Sequence, residues 1–158
     1  MSTTFSHPAR VHHASESILS TIPELLGRFP TSILALLFRL AVATVFFRSG
    51  MTKIASWDST VALFGMEYMV PVLPPVVAAY LATALELGGS VMLFLGLGTR
   101  FAAAALLGMT LVIQTFVYPE NWPDHLLWGS ILAYLVTRGA GALSLDHLIG
   151  RQFSHEPM

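Results

Sequence analysis

The chain has 158 residues, no cysteine and a formal net charge of -1; 54% of its residues are hydrophobic and only 11% are charged, with a mean hydropathy of +0.68. That charge content is far below the roughly 25% of ordinary soluble domains, so the composition predicts an integral membrane protein, and a pI near 6.6 gives no basic footprint for nucleic acid. The absence of cysteine removes disulfides, thiolate catalysis and Cys-ligated iron–sulfur centres, so any redox role rests on a bound molecule or a partner.

In chain order, residues 1–31 read as a cytoplasmic N-terminal segment, polar and without fixed structure over 1–13. Behind Ser15, the apolar positions Ile18, Leu19, Ile22, Leu25, Leu26 and Phe29 have helical spacing, which predicts an interfacial amphipathic helix over 15–28. His7, His12 and His13 lie in the same stretch. His12 and His13 point apart on a helix and no carboxylate is spaced to join them, so no metal site is predicted. The stretch lacks the order of regions that marks a cleaved signal peptide, and the N-terminus is expected to be retained.

Four membrane spans are predicted, over residues 32–47, 76–97, 100–117 and 123–136, against the roughly 20 residues that a hydrocarbon core needs. The fourth is short. Asn121 as N-cap, Pro123 in the first turn, and Tyr118, Trp122 and Trp128 at the headgroup level extend it. Gly96, Gly98 and Thr99 predict a helix stop and a new N-cap, hence a tight hairpin between the second and third spans. The link from Gly50 to Pro75 carries Trp57, Asp58, Phe64, Glu67 and Tyr68, and reads as an interfacial or re-entrant segment capping the outer face. Arg10, Arg28, Arg100, Arg138 and Arg151 fall on the side of the termini, against Arg48 and Lys53 on the other, so both termini are expected in the cytoplasm. Residues 150–158 form a tail.

Two opposite charges lie within these apolar runs, Arg39 in the first span and Glu86 in the second. Ionisable groups at bilayer depth cost several kcal/mol unless paired. Each is about 11 residues from its end of the link, counted from Gly50 and Pro75, so both lie roughly 16 Å deep at 1.5 Å per residue. An Arg39–Glu86 pair is predicted, as a proton relay or as an ion pair that fixes helix register. Ala79, Thr83, Glu86, Gly89 and Ser90 form a stripe on the second span, Thr110, Gln114 and Tyr118 on the third, and His125, Gly129 and Ala133 on the fourth. Gln114, Tyr118, His125, Arg48, Lys53 and Tyr80 are expected to line a polar pocket under the cap, with Glu86 and Arg39 at its floor. Small faces at 102–105 and 139–141 permit self-association.

These residues carry a resemblance. Arg39, Phe47, Gly50 and Lys53 resemble the opening signature of the DoxX family of small bacterial four-helix membrane proteins. Glu86, Gly88 and Gly89, then Leu95-Gly-Leu-Gly-Thr-Arg100 running into Ala102–Ala105, resemble its central pattern, and His125 with the Gly139-to-Asp146 ending resembles its C-terminal region. The resemblance covers about residues 33–149 and implies an all-α integral protein of the bacterial inner membrane, a four-transmembrane-helix bundle. It also implies kinship with the small quinone-interacting subunit of thiosulfate:quinone oxidoreductase. Arg39, Lys53, Glu86, Arg100 and His125 are the matching positions. The expected function is a quinone-interacting component of a membrane oxidoreductase: Glu86 and His125 handle protons, Arg39, Lys53, Tyr80 and Gln114 bind the quinone, and a soluble or membrane partner carries the electrons. Two other readings stay open: a proton-coupled transporter built on Glu86, and an anchor that recruits a soluble oxidoreductase.

Overall fold

The first long helix starts beside a proline and runs without a break for 25 residues. This is α1, Thr31–Ala55. It is followed by α2 (Trp57–Leu63), which widens into a π-helical turn over Phe64–Tyr68. Then come α3 (Pro75–Leu95), α4 (Thr99–Val112) with a second π-helical turn over Ile113–Val117, α5 (Trp122–Arg138) and the short α6 (Leu145–Phe153). The structure, a computed structural model, describes residues 30–153, and no strand occurs among them. The amphipathic helix predicted over 15–28 and the last five residues lie outside the described residues.

Among the described residues three helices are long and apolar enough to cross a membrane: Thr31–Ala55, Pro75–Leu95 and Thr99–Val117. The 17-residue α5 packs against α1 and α4, while α3 packs against α1 and α4, so the four helices close a ring. Hydrocarbon gives helices no hydrophobic reason to associate, and small residues that let backbones approach take over that work. Ala43, Ala102 and Ala103 are accordingly buried beside Phe46, Leu93, Leu106, Leu132 and Leu135, and Ala79 beside Phe64 and Ala78. The small-residue stripe of α3 is buried throughout. On α5 the buried face is His125, Leu132 and Leu135, whereas Ala133 is exposed, so the predicted His125–Gly129–Ala133 face is rotated from the true one.

Both ends of the described chain meet at one end of the ring. Arg39 is buried there, and its guanidinium donates to the carbonyls of Ala140 and Leu143, both at 3.0 Å. Ser32 Oγ accepts from the Ala142 amide, and the Asp146 carboxylate accepts from the amides of Gly98 (2.7 Å) and Thr99 (3.0 Å). Asp146 thus performs the capping that Thr99 was expected to perform. The Thr99 hydroxyl is buried without a partner. Gly96 has φ of 66°, the left-handed conformation that ends α3, and a side chain there would collide with the Arg39 guanidinium and Ser144.

The predicted Arg39–Glu86 pair does not form. α1 continues through Gly50 to Ala55, so Gly50 is not a helix end from which depth can be counted. Gly50 is instead where α1 meets α3: a side chain on it would come within 2.7 Å of Leu87 and 3.3 Å of the Glu86 Cβ. Glu86 therefore lies level with Gly50, about 16 Å along α1 from Arg39.

Arg39 locks the loop at 139–143 by two charge-assisted hydrogen bonds, each of a kind worth about 1.5–3 kcal/mol. Thermal unfolding in detergent should show Arg39→Met strongly destabilised and Arg39→Lys only partly rescued, since the single nitrogen of a lysine cannot occupy both positions from which the two guanidinium nitrogens reach the carbonyls. Arg48→Met, an exposed cation of the same helix, should leave the midpoint nearly unchanged.

Candidate functional site

At the opposite end the ring is hollow. A cavity of about 450 Å³ lies among Ser49 and Lys53 of α1, Phe64 and Tyr68 of the segment after it, Ala78 to Glu86 of α3, Met109 to Tyr118 of α4 and its extension, and His125 and Trp128 of α5. Its volume falls within the roughly 300–1,000 Å³ of small-molecule sites. Both π-helical turns, Phe64–Tyr68 and Ile113–Val117, contribute to its wall. Such turns insert a residue into a helix and recur at functional sites.

One wall holds an ion pair. Lys53 Nζ donates to Glu86 Oε1 at 2.7 Å and Oε2 at 2.8 Å, and to Ser49 Oγ at 2.9 Å, while Ser49 Oγ donates to Glu86 Oε1 at 3.1 Å. The two side chains are 14% and 4% exposed. Ser49 and Lys53 are one turn apart on α1, which brings both to the same carboxylate. The Gly50 contact lets α1 come close enough for this.

The other wall holds a histidine of defined tautomer. Gln114 Nε2 donates to the Pro119 carbonyl at 2.9 Å, and Gln114 Oε1 lies 2.6 Å from His125 Nδ1. A carbonyl can only accept, so the Gln114 amide nitrogen faces Pro119 and its oxygen faces the ring. Nδ1 then carries hydrogen, and Nε2 of the neutral ring keeps a lone pair. Trp128 packs edge-on against His125 with centroids 5.3 Å apart, and against Phe46 at 5.9 Å. His125 is 6% exposed and held on both sides.

Over the cavity, Tyr118 donates to Glu67 Oε1 at 2.6 Å, joining the end of the α4 extension to the π-helical turn after α2. Tyr68 stacks edge-on with Phe64 and with Tyr118. The Glu67 hydrogen bond, with partial burial, holds the Tyr118 phenol well above the usual tyrosine range.

The cavity thus joins Lys53, Glu86 and His125, with Gln114 acting through His125. Arg39 is at the far end. Tyr80 is 59% exposed and stacks on Trp57 at 4.4 Å outside the cavity, and Arg48 is exposed. Ser49 and Tyr68 belong to the site without having been singled out. The spacing of Ser49 one turn before Lys53 was the signal available for the first.

Two outcomes follow. Lys53→Met leaves a buried carboxylate alone, a loss of the order of 3–5 kcal/mol, and adding Glu86→Gln should recover most of it in detergent unfolding. In tyrosinate absorbance, one of the four tyrosines should titrate later than the others, and Tyr118→Phe or Glu67→Gln should abolish that late component. Because the Tyr118 value is raised, this contact's contribution is complete below the ordinary tyrosine value near 10 and is lost as pH rises through the raised one.

Comparison with known proteins places the chain. The DoxX family model matches residues 34–119. The Bacillus subtilis (strain 168) protein named "Putative oxidoreductase CatD" is 34% identical over 121 residues, covering 72% of this chain and 85% of that protein. No solved structure matches it. The matched region contains Arg39, Lys53, Glu86, Gln114 and the hairpin at Gly96–Arg100, and on these grounds the chain belongs to the DoxX family.

Proposed function

We propose that this protein is the membrane component of an oxidoreductase and that its cavity receives the ring of a quinone or quinol as a diffusible substrate. The observation that carries this reading is one largely apolar cavity with a tautomer-fixed His125 on one side and the Lys53–Glu86–Ser49 cluster on another. A quinone ring is flat and apolar with an oxygen at each end, which suits that division. The name of the Bacillus relative, an oxidoreductase, points the same way.

Reduction of a quinone to a quinol takes up two electrons and two protons, and oxidation releases them. Lys53 exchanges its bond to Ser49 for one to a ring oxygen while keeping both bonds to Glu86. His125 Nε2 accepts hydrogen from a quinol hydroxyl when neutral and donates to a quinone carbonyl when protonated, with Gln114 holding the ring in place through Nδ1. For each quinone reduced, the Lys53–Glu86 pair, in contact at 2.7 Å, gives one proton to the nearer ring oxygen and protonated His125 gives the other, both being reprotonated from the aqueous side; oxidation of a quinol runs the same transfers in reverse. The chain has no cysteine, and a partner protein or a diffusible reductant exchanges the electrons.

On this reading α5 is a fourth crossing. Its 17 residues span about 25 Å at 1.5 Å per residue, and the aromatic residues at its start reach the headgroups. Arg100, Arg138 and Arg151 then mark the cytoplasmic face of the inner membrane, and the cavity lies toward the outer one.

The test is solvent extraction of protein purified in mild detergent, with chromatographic identification of any quinone and titration with an added one. Quinone should be found with the wild type, and affinity should fall at least about tenfold, or 1.4 kcal/mol, in Glu86→Gln and in His125→Ala. A wild type with neither extractable quinone nor saturable binding overturns the proposal.

A further inference from the structure

The cavity is closed along α1, opens at the covering end beside the exposed Leu73 and Asn121, and has a second opening between two helices. Along α1 and α5 its lining residues Ser49, Lys53, His125 and Trp128 are buried or half-buried, and the Phe46–Trp128 and His125–Trp128 ring contacts back them. Above, the Tyr118–Glu67 hydrogen bond and the Tyr68 ring contacts tie the covering segment down. Toward the hairpin, α3 and α4 are in close contact: a side chain on Gly89 would come within 3.1 Å of Leu106.

Between α3 and α4 the situation differs. Leu81 and Val112 both line the cavity, yet they are 55% and 38% exposed. A residue that faces a cavity and the outside together marks its mouth. Leu81 is six residues into α3 and Val112 five residues before Val117, so the mouth lies roughly 8–9 Å inside the ends of the two apolar spans, at 1.5 Å per residue. That is hydrocarbon depth for helices of this length. An opening there faces lipid chains, and Leu81 and Val112 give it apolar edges.

We propose that Leu81 and Val112 form a lateral portal through which a lipid-tailed ligand passes from the bilayer into the cavity, its hydrocarbon tail remaining between α3 and α4 while its polar ring reaches Lys53 and His125. This rests on the quinone reading for the ring and adds the class of quinone, one bearing a long alkyl or isoprenoid tail. The portal also lets a substrate reach the charged wall without crossing the aqueous face, independently of the opening beside Leu73 and Asn121.

The experiment uses the full chain in lipid nanodiscs, with Leu81→Phe/Val112→Phe as the narrowed portal. Trp57→Phe/Trp122→Phe leaves Trp128, which lines the cavity, as the sole tryptophan. Its quenching by lipids brominated along their acyl chains reports hydrocarbon reaching the cavity without any quinone. The narrowed portal should lose most of that quenching; unchanged quenching overturns the portal. Binding of a decyl-tailed benzoquinone should weaken at least about tenfold on narrowing, and that of tailless tetramethylbenzoquinone by less than about threefold. Equal loss of both ligands, or loss of neither, also overturns it. If neither binds the wild type, the quinone reading fails, and the quenching result alone decides the portal.

Discussion

A carboxylate inside an apolar bundle is tolerated only if a cation meets it there, and in this protein the half of the fold away from the Gly96–Thr99 hairpin is arranged around that requirement. Glu86 is 3% exposed and lies in the middle of α3, far from either helix end. Lys53 reaches it only because α1 runs past Gly50 for another turn and because Gly50 lacks a side chain that would hold the helices apart. Ser49 supplies a third point of attachment, so the ammonium and carboxylate share a small hydrogen-bond network instead of a single contact. The α1 end is further secured by Thr60, whose hydroxyl donates to the Lys53 carbonyl. A cluster of this kind cannot be packed against hydrocarbon on every side without further desolvation, and the cavity beside it leaves room for a polar ligand.

The other buried charge is handled by a different solution. Arg39 is 1% exposed, and its guanidinium is met by backbone carbonyls of the loop after α5, with Asp146 near enough to attract it. Carbonyls in a fixed loop have no proton to exchange, so this end of the bundle is a lock. The loop in turn caps α4 through Asp146, so the cation, the glycine hairpin and the C-terminal segment support one another. The protein therefore keeps its permanent charge where the structure is closed and its exchangeable charges where it is hollow.

Much of this architecture is legible in the residues, and the places where it is not have physical reasons. The three long apolar helices, the hairpin at Gly96–Thr99 and the helix break before Pro75 follow from hydropathy, glycine and proline. The partner of Glu86 depends on reading Gly50 correctly, since a glycine marks a close helix approach as readily as a helix end. The face through Arg39, Val42, Ala43, Phe46, Gly50 and Lys53 has unbroken helical spacing, and following it past Gly50 puts Lys53 in line with the core. Tyr80 is likewise excluded by its own helix: Ala79, Thr83 and Glu86 share the buried side, and Tyr80 is turned away from it. The Gln114–His125 contact is harder to read, because it depends on how a π-helical turn and a short 3₁₀ turn bring two helices together.

That last contact fixes how the histidine is held at the cavity. Widening the end of α4 sets Gln114 between the Pro119 carbonyl and His125, and since the carbonyl can only accept, the hydrogen-bond pattern propagates to the imidazole without a charged neighbour. The Gln114 amide orients the imidazole through Nδ1, the role a carboxylate or a backbone carbonyl plays for other functional histidines. The opposite wall holds an acid and a base in direct contact, Lys53 Nζ donating to both Glu86 oxygens. On the proposed reading, a ring that gains or loses two protons exchanges one with His125 and one with the Lys53–Glu86 pair. Electron transfer can then be left to a partner, which accounts for why a chain without cysteine need carry only the proton-handling and lipid-facing half of a redox reaction.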